Sequence, residues 1–125
     1  MIIGIGIDIT EVARFERWLT DEPLLRRYFS LKEIEDLRKK GDRQAESLAG
    51  RFAAKEAFAK AMGTGFRDMG LRDLTVWSDR LGKPSIDMTG PAEVLFHERG
   101  GHAVFLSISH EESHAVAMVV VEGEG

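Results

Sequence analysis

Two hydrophobic spacings, every second residue and every third or fourth, divide the chain into elements. At the amino end, Ile2, Ile3, Ile5 and Ile7 fall in MIIGIGID. β-Branched residues at this density predict a strand buried on at least one face. Gly4 and Gly6 alternate with them, and glycine inside a strand marks a place where a backbone or ligand comes close. From Thr10 to Leu19 the pattern changes to Val12, Phe15 and Leu19, a helical stripe. Thr10 is its N-cap and Glu11 lies at the positive end of the dipole. Arg14, Arg17 and Trp18 occupy its other faces. Asp21-Glu22-Pro23 breaks that run, and Ser30-Leu31-Lys32-Glu33 is a capping box opening a helix to about Lys40.

The polar stretch Gly41–Gln44 precedes a helix over Ser47–Met62, which carries three apolar stripes. Leu48, Phe52 and Ala59 form one, Ala49, Ala53 and Ala57 a second, and Ala54, Phe58 and Ala61 a third. A helix apolar nearly all round is buried on most of its faces. Gly63 is the expected left-handed residue that stops it. A loop over Phe66–Asp73 leads to strands at Leu74–Ser78 and Pro84–Met88, joined by a hairpin-like turn. Pro91 opens a short helix to about Glu98. Strands at His102–Ser109 and His114–Glu122 close the chain, with a frayed tail. Strand, helices, two strands, helix and hairpin predict an α+β fold, with helices packed on one face of a mainly antiparallel sheet. No linker divides it, so one domain over 1–125 is expected.

Composition narrows the chemistry more than the fold. The 125 residues carry 43% hydrophobic and 30% charged side chains, an ordinary globular balance. The net charge of −4 argues against a broad nucleic-acid footprint. With no cysteine, disulfides and thiolate chemistry are excluded, and any metal must be held by oxygen or histidine. No apolar run reaches membrane-spanning length and the amino end lacks a basic leader, so a soluble cytoplasmic protein is expected.

Several charged residues then stand out. Asp8 closes a buried strand, a position shared by turn residues and metal ligands. Glu56 sits between two apolar stripes, where a carboxylate is costly without a partner. It could pair with Lys60 one turn on, or ligate a metal. Arg51 and Lys55 are like charges one turn apart, whose repulsion a bound phosphate would relieve. Arg14, Arg17, Arg26 and Arg27 gather in the first quarter of an acidic chain. They form either a solvated face or a docking surface for an acidic partner, with Trp18 as its anchor.

Four segments in order, GIGIDITE at Gly4–Glu11, RFAAKEAFAKAMGTG at Arg51–Gly65, GKP at Gly82–Pro84 and SISH at Ser107–His110, carry a family likeness. End to end, the chain resembles the small bacterial holo-acyl-carrier-protein synthases of the 4′-phosphopantetheinyl transferase superfamily. That resemblance implies transfer of 4′-phosphopantetheine from coenzyme A to a serine of apo-acyl carrier protein. It implies Asp8 and Glu56 as ligands of a divalent ion, usually magnesium, and a homotrimer with shared active sites. It offers Arg51, Lys55 and Lys83 as contacts to coenzyme A phosphates. Gly63, Thr64, Gly65 and Pro84 would line the adenosine end, and Ser109 and His110 would meet the 3′-phosphate. The segment with Arg14, Arg17 and Trp18 would dock the carrier protein. Lys60, a metal-bound water or a water oriented by Glu33 could take the serine proton. Two acids without cysteine suit magnesium, which takes one or two carboxylates plus substrate phosphate. The competing readings are a small metal-dependent phosphohydrolase and a non-catalytic coenzyme A-binding subunit.

Overall fold

In the computed structural model, which describes residues 1–63 and 69–124, the chain is arranged about one helix. β1 (Ile2–Glu11) pairs antiparallel with β5 (His114–Gly123), and β5 with β4 (Gly101–His110), so the last strand lies in the middle of a three-stranded sheet. β2 (Leu74–Ser78) and β3 (Pro84–Met88) form a separate antiparallel hairpin. The helices are α1 (Glu22–Tyr28), α2 (Leu31–Arg38), α3 (Gln44–Met62) and α4 (Gly90–Glu98). Helices packed on antiparallel strands are the α+β arrangement the sequence predicts.

α3 lies across β1 and β5 and belongs to two cores at once. Its Ala53, Ala54, Ala57 and Phe58 pack with Leu74, Val76, Phe96, Val119 and Val121. On the other side, Leu48, Ala49 and Phe52 pack with Phe15, Trp18, Leu25, Phe29 and Leu37. A helix with protein on both sides has no solvent face to make polar, which explains its three apolar stripes. It begins three residues before the expected Ser47 and ends at Gly63, whose φ of 76° is left-handed and whose N–H donates to the carbonyls of Ala59 and Lys60.

The glycines of β1 let α3 approach that closely. A Cβ at Gly4 would fall 2.1 Å from the Ala61 carbonyl oxygen, and one at Gly6 would fall 2.0 Å from that of Ala57. The buried face of β1 is therefore the glycine face. Its isoleucines are the exposed ones: Ile5, Ile7 and Ile9 are 63%, 59% and 65% accessible. Through the strand register they continue across the sheet as Ile5–Val120–Phe105, Ile7–Met118–Ser107 and Ile9–Val116–Ser109.

The helix expected over Thr10–Leu19 does not form. β1 runs on to Glu11 because Thr10 and Glu11 pair with Ala115 and His114, and two 3₁₀ turns follow at Val12–Phe15 and Arg17–Thr20. The buried residues are Val12, Phe15 and Trp18, one every three. That is the 3₁₀ period, not the α period. Asp21 caps α1 by accepting from the Leu24 N–H, and the capping box at Ser30 and Glu33 is present on α2.

Candidate active site

The close contact of β1 with α3 brings Asp8 beside the helix. Lys60 donates from Nζ to Asp8 Oδ1 at 3.1 Å and to the Ile7 carbonyl at 3.0 Å. It turns to the strand instead of pairing with Glu56 one turn earlier. Burial, and then the charge of Asp8, push the Glu56 carboxyl above its ordinary range, while Lys60 and Arg14 pull the other way. Two carboxylates thus repel one another across a half-buried gap, with one ammonium and one guanidinium nearby. Among the described residues no group of three or more acids, histidines or cysteines gathers as a metal cage. The donor set here is two carboxylates alone.

Glu56 opens onto a cavity of about 580 Å³ walled by Arg14, Trp18, Arg27, Tyr28, Phe52 and Leu71. Arg14 spans its aromatic floor, with its guanidinium carbon 5.0 Å from the Phe52 ring centre and 5.3 Å from that of Phe15. Arg17 is exposed on an adjoining hollow that Arg14 and Trp18 share. Trp18 is not the protruding anchor the sequence suggests. It is 8% accessible and packs against Phe15, Phe29 and Phe52, because the three-residue spacing turns it inward.

Lys55 is also corrected. It is wholly buried, and its ammonium donates to Glu33 Oε1 at 2.6 Å and to the carbonyls of Tyr28, Leu71 and Leu74 at 2.9, 3.0 and 2.8 Å. The Phe29 ring covers it at 4.6 Å. Four acceptors and no surface leave no room for a coenzyme A phosphate. Burial pulls its pKa down to about 8, against the pull of the Glu33 carboxylate. Glu33 also accepts from the N–H groups of Ser30 and Val76, so both its oxygens are engaged internally and it is no orienter of a catalytic water. The repulsion between Arg51 and Lys55 is met by this buried carboxylate.

A second cavity, of about 440 Å³, lies at the other end of α3. Arg51, His110 and Pro84 line it with Lys40, Arg43 and Arg80, and the acids Glu46 and Asp79 stand among them. Arg51 donates to the Val76 carbonyl at 3.0 Å and to Ser47 Oγ at 3.3 Å. Desolvation draws its pKa down, countered chiefly by the Glu33 charge. Glu46 stands across from His110, with its carboxylate 3.4 Å from Nδ1. The sequence carried a signal for Lys40 and Arg43: the basic residues Arg38, Lys39, Lys40 and Arg43 run up to the start of a helix, an end that itself favours anions.

The other expected residues are dispersed. Lys83 is exposed in the β2–β3 turn, its N–H donating to Asp79. Ser109 pairs with Val116 and points to the outer sheet face, opposite to His110, because neighbours in a strand alternate. Gly63 lies at the far end of α3 from the basic cavity. Thr64 and Gly65 lie outside the described residues. Arg51 and Glu56 are five positions apart, about 140° around the helix, so the basic cavity and the acid pair face different directions.

The chain matches known proteins over nearly its whole length. Residues 4–119 fit the family model for the 4′-phosphopantetheinyl transferase superfamily, and the chain belongs to that superfamily. A holo-[acyl-carrier-protein] synthase of Treponema denticola is 48% identical over 98% of this chain and all of its own. One of Trichlorobacter lovleyi is 47% identical, with 98% of each chain covered. The crystal structure of a holo-(acyl-carrier-protein) synthase from Bacillus anthracis in complex with CoA (3′,5′-ADP) superposes with a TM-score of 0.82, at 40% identity over 99% of both chains. That of Neisseria meningitidis gives 0.88 at 38% identity, covering 98% of this chain and 99% of the other. Within the superfamily this chain is an enzyme of the holo-[acyl-carrier-protein] synthase group, performing phosphopantetheinyl transfer. Among the described residues, no helix is long and apolar enough to cross a membrane.

Proposed function

We propose that the chain transfers 4′-phosphopantetheine from coenzyme A to a serine hydroxyl of an apo-acyl carrier protein, with magnesium, releasing adenosine 3′,5′-bisphosphate. The carrying observation is the convergence of Asp8 and Glu56 through the glycine contact of β1 with α3. The residues fit the ion. They are hard oxygen donors, few in number, and their mutual repulsion is relieved by a divalent cation. Asp8 and Glu56 would hold it, and when bound it would neutralise charge on the pyrophosphate.

In the reaction, the serine Oγ–P bond forms as the P–O bond to the adenosine-side phosphate breaks. The hydroxyl proton leaves to a base, and the bisphosphate departs. Lys60, held at the edge of the site by Asp8 and the Ile7 carbonyl, suits contact with the phosphoryl oxygens as an ammonium and would accept the serine proton only as the neutral amine. With Glu33 engaged, water and a neutral Lys60 are the remaining proton acceptors. Arg14 and Arg17 suit an acidic carrier docked over the cavity beside Glu56. Lys40, Arg43, Arg51, Arg80 and His110 suit the phosphates at the adenosine end of coenzyme A.

The separation of the two sites supports a homotrimer. Lys60 adjoins a hollow formed with Ile5, Ile7 and Met118 on the exposed apolar sheet face. A second copy covering that face would bring its basic cavity toward these acids. A contiguous apolar face of this kind is what subunit contact covers.

The test is incubation with coenzyme A, magnesium and apo-carrier protein, followed by mass spectrometry. The carrier should gain ~340 Da, the mass of the transferred group. Phosphate ester cleavage without a carrier would favour a hydrolase, and coenzyme A binding without mass gain would favour a non-catalytic subunit.

A further inference from the structure

The contacts assigned above give no part to one fully buried ammonium, that of Lys55, next in sequence to Glu56. Lys55 reaches the carbonyls of Tyr28, at the end of α1, and Leu71, in the segment leading to β2. The side chains of those two residues are walls of the cavity onto which Glu56 opens. Lys55 also holds Glu33, which ties the Ser30 N–H of the α1–α2 junction to the Val76 N–H of β2. One ammonium therefore fixes both sides of the cavity to the helix position adjoining Glu56. Leaving those carbonyls unpartnered would release the walls.

We infer that Lys55, clamped by Glu33, is a positioning residue for the acceptor protein: it sets the width of the cavity beside Glu56 and touches neither coenzyme A nor the reacting atoms. The inference rests on the transferase reading. It departs from what the KE pair suggests by position, since the lysine beside a reactive acid here acts only through the walls. In that reading coenzyme A is held chiefly through its adenosine-end phosphates in the basic cavity, so the two substrates should respond differently.

The experiment compares wild type with Lys55→Met and with the double variant Glu33→Gln/Lys55→Met, measuring KM for each substrate and thermal stability. The single variant strands a buried carboxylate and loses stability. The double variant removes both charges at similar volume and recovers it in part. In both, KM for the carrier protein should rise about 10-fold or more, the range set by outer-shell partners of a site, while KM for coenzyme A stays within about 2-fold. If the single variant does not fold, the double variant decides. A carrier KM that returns to wild type as stability recovers, or equal changes for both substrates, would overturn the inference. Absence of transfer by the wild-type protein would instead refute the transferase reading.

Discussion

Replacing Gly6 with alanine tests the contact on which the acid pair depends. The added methyl would meet the Ala57 carbonyl oxygen at 2.0 Å, the Ala61 nitrogen at 2.8 Å and the Ala57 carbonyl carbon at 3.0 Å. All three are backbone atoms of α3, so no side-chain rotation can make room. The nearest falls short of the 3.4 Å of ordinary van der Waals contact by about 1.4 Å, which the strand and helix must supply by separating. Overpacking of this kind costs ~1–3 kcal/mol, and a collision with backbone belongs at the upper end, about 3 kcal/mol. The separation also moves Asp8, two residues on, away from Glu56 and Lys60. A displacement near 1 Å at reacting groups lowers turnover on the order of 100-fold. Urea denaturation should show a lowered midpoint with an unchanged slope, and initial-rate assays a fall in kcat larger than the loss of folded protein explains. A Gly6→Ala protein with the wild-type midpoint and rate would refute the contact as the organiser of the site.

Further outcomes follow from the same geometry. Because Glu56 is held above its ordinary carboxyl range, native protein without metal retains that proton where the unfolded chain has lost it. Its stability should therefore decline as pH rises from the ordinary value near 4.5 through the raised one, and Glu56→Gln should flatten the decline while abolishing transfer. At pH 8 magnesium should raise the melting temperature of the wild type but not of Glu56→Gln; equal shifts in both would remove Glu56 from the metal site. Trp18→Ala should cost about 3–5 kcal/mol in denaturant unfolding, as for a core aromatic, and a loss below 1 kcal/mol would return Trp18 to the surface. Arg43→Ala and His110→Ala should each raise KM for coenzyme A about 10-fold or more, since a charge-assisted contact is worth ~1.5–3 kcal/mol, and leave KM for dephospho-coenzyme A nearly unchanged; equal effects on both substrates would separate this cavity from the 3′-phosphate.

Local chemistry made much of this readable. The stop at Gly63 and the capping box at Ser30 each state a backbone requirement that no distant residue alters, and the alternating glycines of β1 marked a close approach without naming α3 as its partner. The segment after Asp8 misled because strand pairing with Ala115 and His114 outweighed a local helical pattern, although Val12, Phe15 and Trp18 already showed the period of three. The opposite facing of Ser109 and His110 was implicit in strand alternation. Lys55 and Glu33 were beyond local reading. They are 22 residues apart, and a capping box accounts for Glu33 without hinting that its oxygens also hold a buried ammonium.

Among the described strands, β5 is the one that joins β1 to the rest of the sheet. During synthesis, β1 and β4 have no common neighbour until residues 114–123 arrive, so the strand carrying Asp8 is locked only after β4 and β5 have been made. Such distant pairing slows folding. In the finished fold the amino group of Met1 donates to the Gly123 carbonyl at 3.0 Å, which sets the two ends side by side. A protein joined there and opened in the exposed turn between β2 and β3 would be born with its central strand already flanked by both neighbours.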